Sequence, residues 1–193
     1  MPEGRPEVVL VRHGETEWSR SGRHTGRTDI PLTEAGRRAA EVLRDPLSRR
    51  SFARVLTSPL SRAADTCKLA GLGGRAETRD ELLEWDYGDY DGLTTPEIRE
   101  RRPDWRLWRD GCPGGETPDE VAGRVDRVIV ELQGQDGDSI LFAHGHVLRV
   151  LAARWVELGP EWGSRFMLGT ATLSVLGWER ETAAFRVWNA AAS

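Results

Sequence analysis

The hydrophobic pattern switches repeatedly between a two-residue and a helical period. Residues 8–11 (Val-Val-Leu-Val) are consecutive apolar positions, mostly β-branched. They predict a strand covered on both faces, as in a parallel sheet. Polarity begins abruptly at Arg12 and His13. A helix is expected from about 33 to 47, with Thr33 as N-cap and Glu34 at the positive end of its dipole. A short strand over 54–57 leads through Ser58-Pro59-Leu60-Ser61-Arg62 into a helix reaching about Ala70, and 76–79 suits a third strand. Val121, Val125, Val128, Ile129 and Leu132 keep the helical period and predict a helix over 117–133. Residues 139–143 form a second buried strand that ends at His144, followed by a helix over 146–157. Two final strands, 171–178 and 184–188, are separated by charged residues and predict an antiparallel edge hairpin. Between about 85 and 118 the chain is rich in Trp, Gly, Asp and Pro, which reads as an irregular insertion. No repeat or low-complexity linker interrupts this order. The expectation is one domain over 1–193 of α/β class, three-layer α/β/α, with a mostly parallel central sheet and a C-terminal antiparallel edge hairpin.

Composition narrows the chemistry. A chain of 193 residues buries one sizeable core and is too short for two. A net charge of −4 leaves no global basic footprint, so no nucleic-acid partner is expected. Lys68 is the only lysine among 27 basic residues. A phosphate site must then be built from arginine, histidine and backbone N–H groups, and a Walker-type loop is excluded. Cys67 and Cys112 have no metal or CxxC spacing. No apolar run approaches the ~20 residues of a membrane span. No secretory leader is legible, so the expected compartment is the cytoplasm.

The four histidines are His13, His24, His144 and His146. Two of them follow directly on the two strongest strands, and each precedes a glycine: Arg12-His13-Gly14 and Ala143-His144-Gly145. In open α/β sheets ligands bind just beyond the carboxyl ends of strands. Arg62 occupies a third strand-to-helix junction, so the three junctions converge on one pocket edge. An imidazole beside permanent positive charge suits a nucleophile for an anionic substrate. Several carboxylates (Glu84, Asp86, Asp89, Asp91) are candidates for a proton donor, and charge alone does not choose among them.

Leu10-Val11-Arg12-His13-Gly14-Glu15-Thr16, Thr57-Ser58-Pro59-Leu60-Ser61-Arg62, Glu84-x-x-Tyr87-Gly88 and Ala143-His144-Gly145 together resemble the histidine phosphatase superfamily, the group that includes cofactor-dependent phosphoglycerate mutases. The matches follow family order and span residues 8–150. The resemblance implies a phosphoglycerate mutase-like fold and no cofactor or metal. It also implies His13 as nucleophile, with Arg12, Arg62 and His144 around the phosphoryl group, and Glu84 as proton donor ahead of Asp86. Ser19, Thr25, Gly26 and Gly145 would contact substrate, with Tyr87 at the pocket edge. In this scheme a protonated His144 supplies a third donor, while Trp85 and the nearby acids raise the pKa of Glu84.

The implied activity is phosphomonoester hydrolysis through a phosphohistidine, on a small phosphorylated metabolite. Residues 84–92, 105–112, 115–117 and His144-Gly145-His146 are similar to the sedoheptulose-1,7-bisphosphatase-like branch, which suggests a sugar bisphosphate. A second anion site would draw on Arg23, Arg27, Arg99, Arg101, Arg102, Arg106 or Arg109. The alternatives are phosphoglycerate mutase activity, disfavoured by a short insertion, and an inactive binding protein, disfavoured because every catalytic position is filled. His24 is either a substrate contact or a plain loop residue, and His146 is expected at a helix start beside the pocket. Trp105 and Trp108 are candidates to roof the pocket, and Cys112 for a redox role in a loop that approaches it. A homo-oligomer is compatible with the sequence.

Overall fold

The computed structural model describes residues 5–191. Six strands, β1 (Val8–Arg12), β2 (Arg54–Thr57), β3 (Ala76–Thr78), β4 (Ser139–Ala143), β5 (Thr172–Glu179) and β6 (Thr182–Ala191), form one sheet in the order β3-β2-β4-β1-β5-β6. The first four in this order run parallel, and β5 and β6 add an antiparallel edge. The helices are α1 (Glu17–Ser21), α2 (Glu34–Val42), α3 (Arg44–Ser48), α4 (Ser61–Leu69), α5 (Thr95–Arg101), α6 (Leu107–Asp110), α7 (Pro118–Gln133) and α8 (Gly145–Trp155).

Strand alternation divides the core in two. Val8 and Leu10 pack with Leu141, Val125, Val128, Leu148 and Leu151 beneath α7 and α8. Val9 and Val11 point the other way, to Ile140, Phe142, Leu43, Leu47 and Cys67 beneath α2, α3 and α4. Every apolar residue of β1 is therefore buried, which is why the strand reads as an unbroken apolar run.

Local differences from the sequence reading have local causes. The helix expected over 33–47 is two, because Pro46 has no N–H to donate to Val42. The helix expected to reach 157 ends at Trp155, and Glu157 adopts a left-handed conformation (φ 61°). The short helix α1 has no apolar periodicity. It rests on a capping box in which Thr16 and Ser19 exchange side-chain and backbone hydrogen bonds.

The turn after β1 is packed backbone to backbone. A Cβ on Gly36, in the first turn of α2, would lie 2.2 Å from the carbonyl oxygen of Glu15. Gly→Ala in a helix ordinarily gains up to about 1 kcal/mol. Here overlap with rigid backbone reverses the sign, and Gly36→Ala is expected to lose about 1–3 kcal/mol in chemical denaturation. A gain in stability would show that this turn yields.

Candidate active site

The carboxyl ends of β2, β4 and β1 lie side by side, and the residues just past them share one floor. His13 N donates to Ala143 O (2.9 Å) and Ser58 N to Phe142 O (2.9 Å), so both junctions are anchored on β4. The His13 and His144 rings are 5.1 Å apart, centroid to centroid. Above them is a cavity of about 170 Å³ whose wall includes Arg12, His13, Glu84, Tyr87, His146 and Arg149.

His13 is 4% exposed and its tautomer is fixed from one side. Nδ1 lies 2.7 Å from Gly14 O, an acceptor only, so the proton sits on Nδ1 and Nε2 keeps its lone pair. Burial, with Arg12 and Arg62 nearby, pushes its pKa well below the usual value and keeps the ring neutral. Arg12 donates from Nη1 to Leu168 O (2.5 Å), while its Nε is buried with no partner. A buried guanidinium N–H left unmade is costly unless a ligand completes it. Gly145 makes room for this arginine, since a Cβ there would sit 3.2 Å from Arg12 Nε.

Arg62 and His144 are fully buried. Arg62 Nε donates to His144 Nδ1 (3.0 Å), and its Nη atoms donate to the carbonyls of Thr25, Gly26 and Thr28. A ring nitrogen that accepts from a guanidinium carries no proton. Burial first, and Arg62 second, hold the His144 pKa well below its usual value. His144 is thus neutral, with its N–H on Nε2, 2.7 Å from Ser58 Oγ. This corrects the expectation of a protonated His144, because Arg62 occupies the position a second proton would need.

The Glu84 carboxylate is held by main chain alone. Oε1 accepts from Trp85 N and Val147 N (both 2.9 Å), and Oε2 from His146 N (3.0 Å). The two donors from α8 are orphan N–H groups of a helix start, a favourable seat for a carboxylate. Two of the acids expected to crowd it are engaged elsewhere. Asp86 accepts from Gly88 N and faces Arg27, and Asp91 accepts from Gly26 N and Thr28.

Ser19 and Thr25 reach the cavity wall, but Gly26 does not. A Cβ on Gly26 would sit 2.9 Å from the Tyr87 ring, and the residue serves as a packing point behind the wall. The Tyr87 hydroxyl lies 2.6 Å from His146 Nδ1. His24, lowered to about 4 by burial, packs against Tyr87 and Trp105.

Trp105 and Trp108 do not roof this cavity. They line a second cleft of about 550 Å³, which shares His24 and His146 with the first. Four arginines (Arg99, Arg106, Arg109, Arg165) and one carboxylate, Glu161, face that cleft. Burial pushes the Cys112 thiol up to about 12, which removes the thiolate a redox role would require. Arg149 was missed by the sequence reading. It lies over the Trp108 ring (4.7 Å) and donates to Gly163 O (2.9 Å). The His146-x-x-Arg149 spacing, which puts both on one helix face, was the available signal. Among the described residues no group of three or more His, Cys, Asp or Glu side chains is arranged to hold a metal ion, and no helix is long and apolar enough to cross a membrane.

Comparison with known proteins agrees with this geometry. The chain is 44% identical over 183 residues to an acid phosphatase of Mycobacterium tuberculosis, covering 89% of this chain and 86% of the relative. It is 40% identical over 193 residues to sedoheptulose 1,7-bisphosphatase of Saccharomyces cerevisiae, covering 83% and 71%. The solved structure of the Rv3214 product from Mycobacterium tuberculosis superposes with a TM-score of 0.92 at 41% identity, covering 97% of this chain and 99% of that one. Residues 8–191 match the profile of the histidine phosphatase superfamily (branch 1), and the chain belongs to that family.

Proposed function

We propose that this protein hydrolyses a phosphorylated sugar metabolite through a phosphohistidine on His13. The observation that carries the reading is the pairing of a tautomer-fixed, neutral His13 with an unsatisfied Arg12 N–H in one small cavity. Nε2 attacks phosphorus as the bond to the leaving alkoxide breaks, and Glu84, which enters this step as its carboxylic acid, supplies that oxygen with a proton and is left as the carboxylate. In the second half Glu84 takes a proton from water, whose oxygen attacks phosphorus and releases Nε2. Oε1 already accepts two N–H groups and Oε2 only one, so the travelling proton belongs on Oε2.

Arg12, Arg62 and the Nε2–H of His144 stabilise charge on the equatorial oxygens, which is most of what phosphoryl transfer needs from a protein. Neither Arg62 nor His144 lines the cavity, so on binding Arg62 exchanges carbonyl partners, and His144 Nε2–H exchanges Ser58 Oγ, for phosphate oxygens. Ser19, Thr25, Tyr87 and Gly145 shape the pocket around the ester.

The neighbouring cleft favours a leaving group that carries a second anion. Arg109 is paired with Asp110, whereas Arg106 and Arg165 have no ion-pair partner among the described residues. A panel of sugar mono- and bisphosphates scored by phosphate release tests both parts. Replacing Arg106 and Arg165 together by alanine is expected to raise KM for a sugar bisphosphate by about 10-fold or more, since a hydrogen bond to a charged group is worth about 1.5–3 kcal/mol. KM for the matching monophosphate should move far less. Equal shifts for both would remove the second anion site, and no hydrolysis anywhere in the panel would remove the phosphatase reading.

A further inference from the structure

Glu84 lies outside any regular element, in the stretch between a short turn of 3-10 helix at 80–82 and the insertion. No sheet ladder or helix fixes its main chain. Arg124, on α7, is 8% exposed and does not line the cavity, yet it is aimed at this stretch. Nη1 donates to Glu81 O (2.6 Å) and Leu83 O (2.7 Å), and Nη2 donates to Glu84 O (3.2 Å). Nε and Nη2 also donate to the two carboxylate oxygens of Glu116 (2.8 and 3.0 Å). All five N–H groups of the guanidinium are accounted for.

Glu116 closes the arrangement from the other flank. Its Oε2 accepts from Asp86 N (2.8 Å), its main-chain oxygen accepts from the Trp85 indole (2.9 Å), and its N–H donates to Asp86 O (2.9 Å). The residues before and after Glu84 are thus tied to one Arg–Glu pair, its arginine buried and its glutamate half-buried. Three carbonyl dipoles converging on one point repel each other unless a cation stands there. The five fixed donors of arginine fit that point, and the three of a lysine ammonium do not.

We infer that Arg124, together with Glu116, is a positioning residue that sets where the Glu84 carboxyl stands relative to His13. The inference rests on the reading of Glu84 as proton donor. A displacement of about 1 Å in a reacting group costs on the order of 10²-fold in rate.

The test compares leaving groups. A sugar phosphate needs a proton on its departing oxygen, whereas 2,4-dinitrophenyl phosphate does not. In rapid-quench measurements of His13 phosphorylation, Arg124→Lys is expected to slow the sugar phosphate by roughly 10–10²-fold and the dinitrophenyl ester by no more than about twofold. KM should stay nearly constant. Glu116→Gln keeps size while weakening the pair, so it should shift rates in the same direction, and it carries the test if Arg124→Lys does not fold. Equal slowing with both esters, or no slowing in a folded variant, overturns the inference. Glu84→Gln run alongside separates the two failures. If it shows the leaving-group difference and the Arg124 and Glu116 variants do not, only this inference falls. If Glu84→Gln shows none, the proton-donor reading fails and takes the inference with it.

Discussion

Replacing His13 by alanine is expected to lower kcat by roughly 10⁴–10⁶-fold, the scale seen when a covalent nucleophile is removed from an otherwise intact site. The residue left behind has no group able to attack phosphorus. Arg12, Arg62 and His144 would still bind the phosphoryl group, so some activity above water would remain and KM would change little. The sharper measurement is chemical. Wild-type protein quenched during turnover should carry an acid-labile, base-stable phosphoryl group, and His13→Ala should carry none. Because His13 is nearly buried, the variant leaves a small cavity and one unpaired carbonyl at Gly14. Circular dichroism must therefore show a folded protein before the rate is interpreted. A folded His13→Ala that still forms a phosphoenzyme would place the nucleophile elsewhere, with His144 the first candidate.

The fold and the floor of the site were legible for the same reason. A strand buried on both faces shows as an unbroken apolar run, and its end shows as the first polar residue. That marks His13 and His144 without any knowledge of pairing. The order β2-β4-β1, seen only in the folded sheet, brings the two junctions together. The wall of the site is different, because it comes from the insertion and from the start of α8, where no period operates. Glu84 stood out through family spacing, but its seat on three main-chain N–H groups depends on where α8 begins. Arg124 sits in an amphipathic helix at a position that sequence alone reads as another surface arginine among 26. Its burial depends on the insertion folding back over α7. Likewise, the expectation that Trp105 and Trp108 roof the pocket fails because the insertion sets both in the neighbouring cleft. The two cavities share His24 and His146 on their walls, residues that lie far apart in the sequence. The neutral state of His144 was illegible for a related reason. It depends on Arg62 turning its Nε toward the ring, and a residue pair 82 positions apart leaves no pattern in the sequence.

Glu84→Gln is expected to lower kcat for a sugar phosphate by about 10²–10⁴-fold, the range for loss of a positioned general acid. Hydrolysis of 2,4-dinitrophenyl phosphate should lose much less in its first step, because that leaving group departs without a proton. The substitution is not isosteric in its hydrogen bonding. A carboxylate accepts at both oxygens, and Glu84 uses both. Glutamine accepts at one, so its amide N–H₂ must face either the N–H of His146 or those of Trp85 and Val147. An orphaned buried donor costs about 1–3 kcal/mol. Glu84→Gln is therefore expected to melt several degrees below the parent while remaining folded. Loss of stability alone slows every substrate alike once the folded fraction is corrected for, whereas loss of the acid separates them by leaving group. If both esters slow equally in folded protein, Glu84 acts by holding α8 against the turn rather than by moving a proton. Asp86→Asn then becomes the decisive variant. Asp86 flanks the same turn, with one oxygen toward Gly88 N and the other toward Arg27. A leaving-group-dependent loss there, and not at Glu84, would move the proton to Asp86 and leave the rest of the phosphohistidine scheme standing.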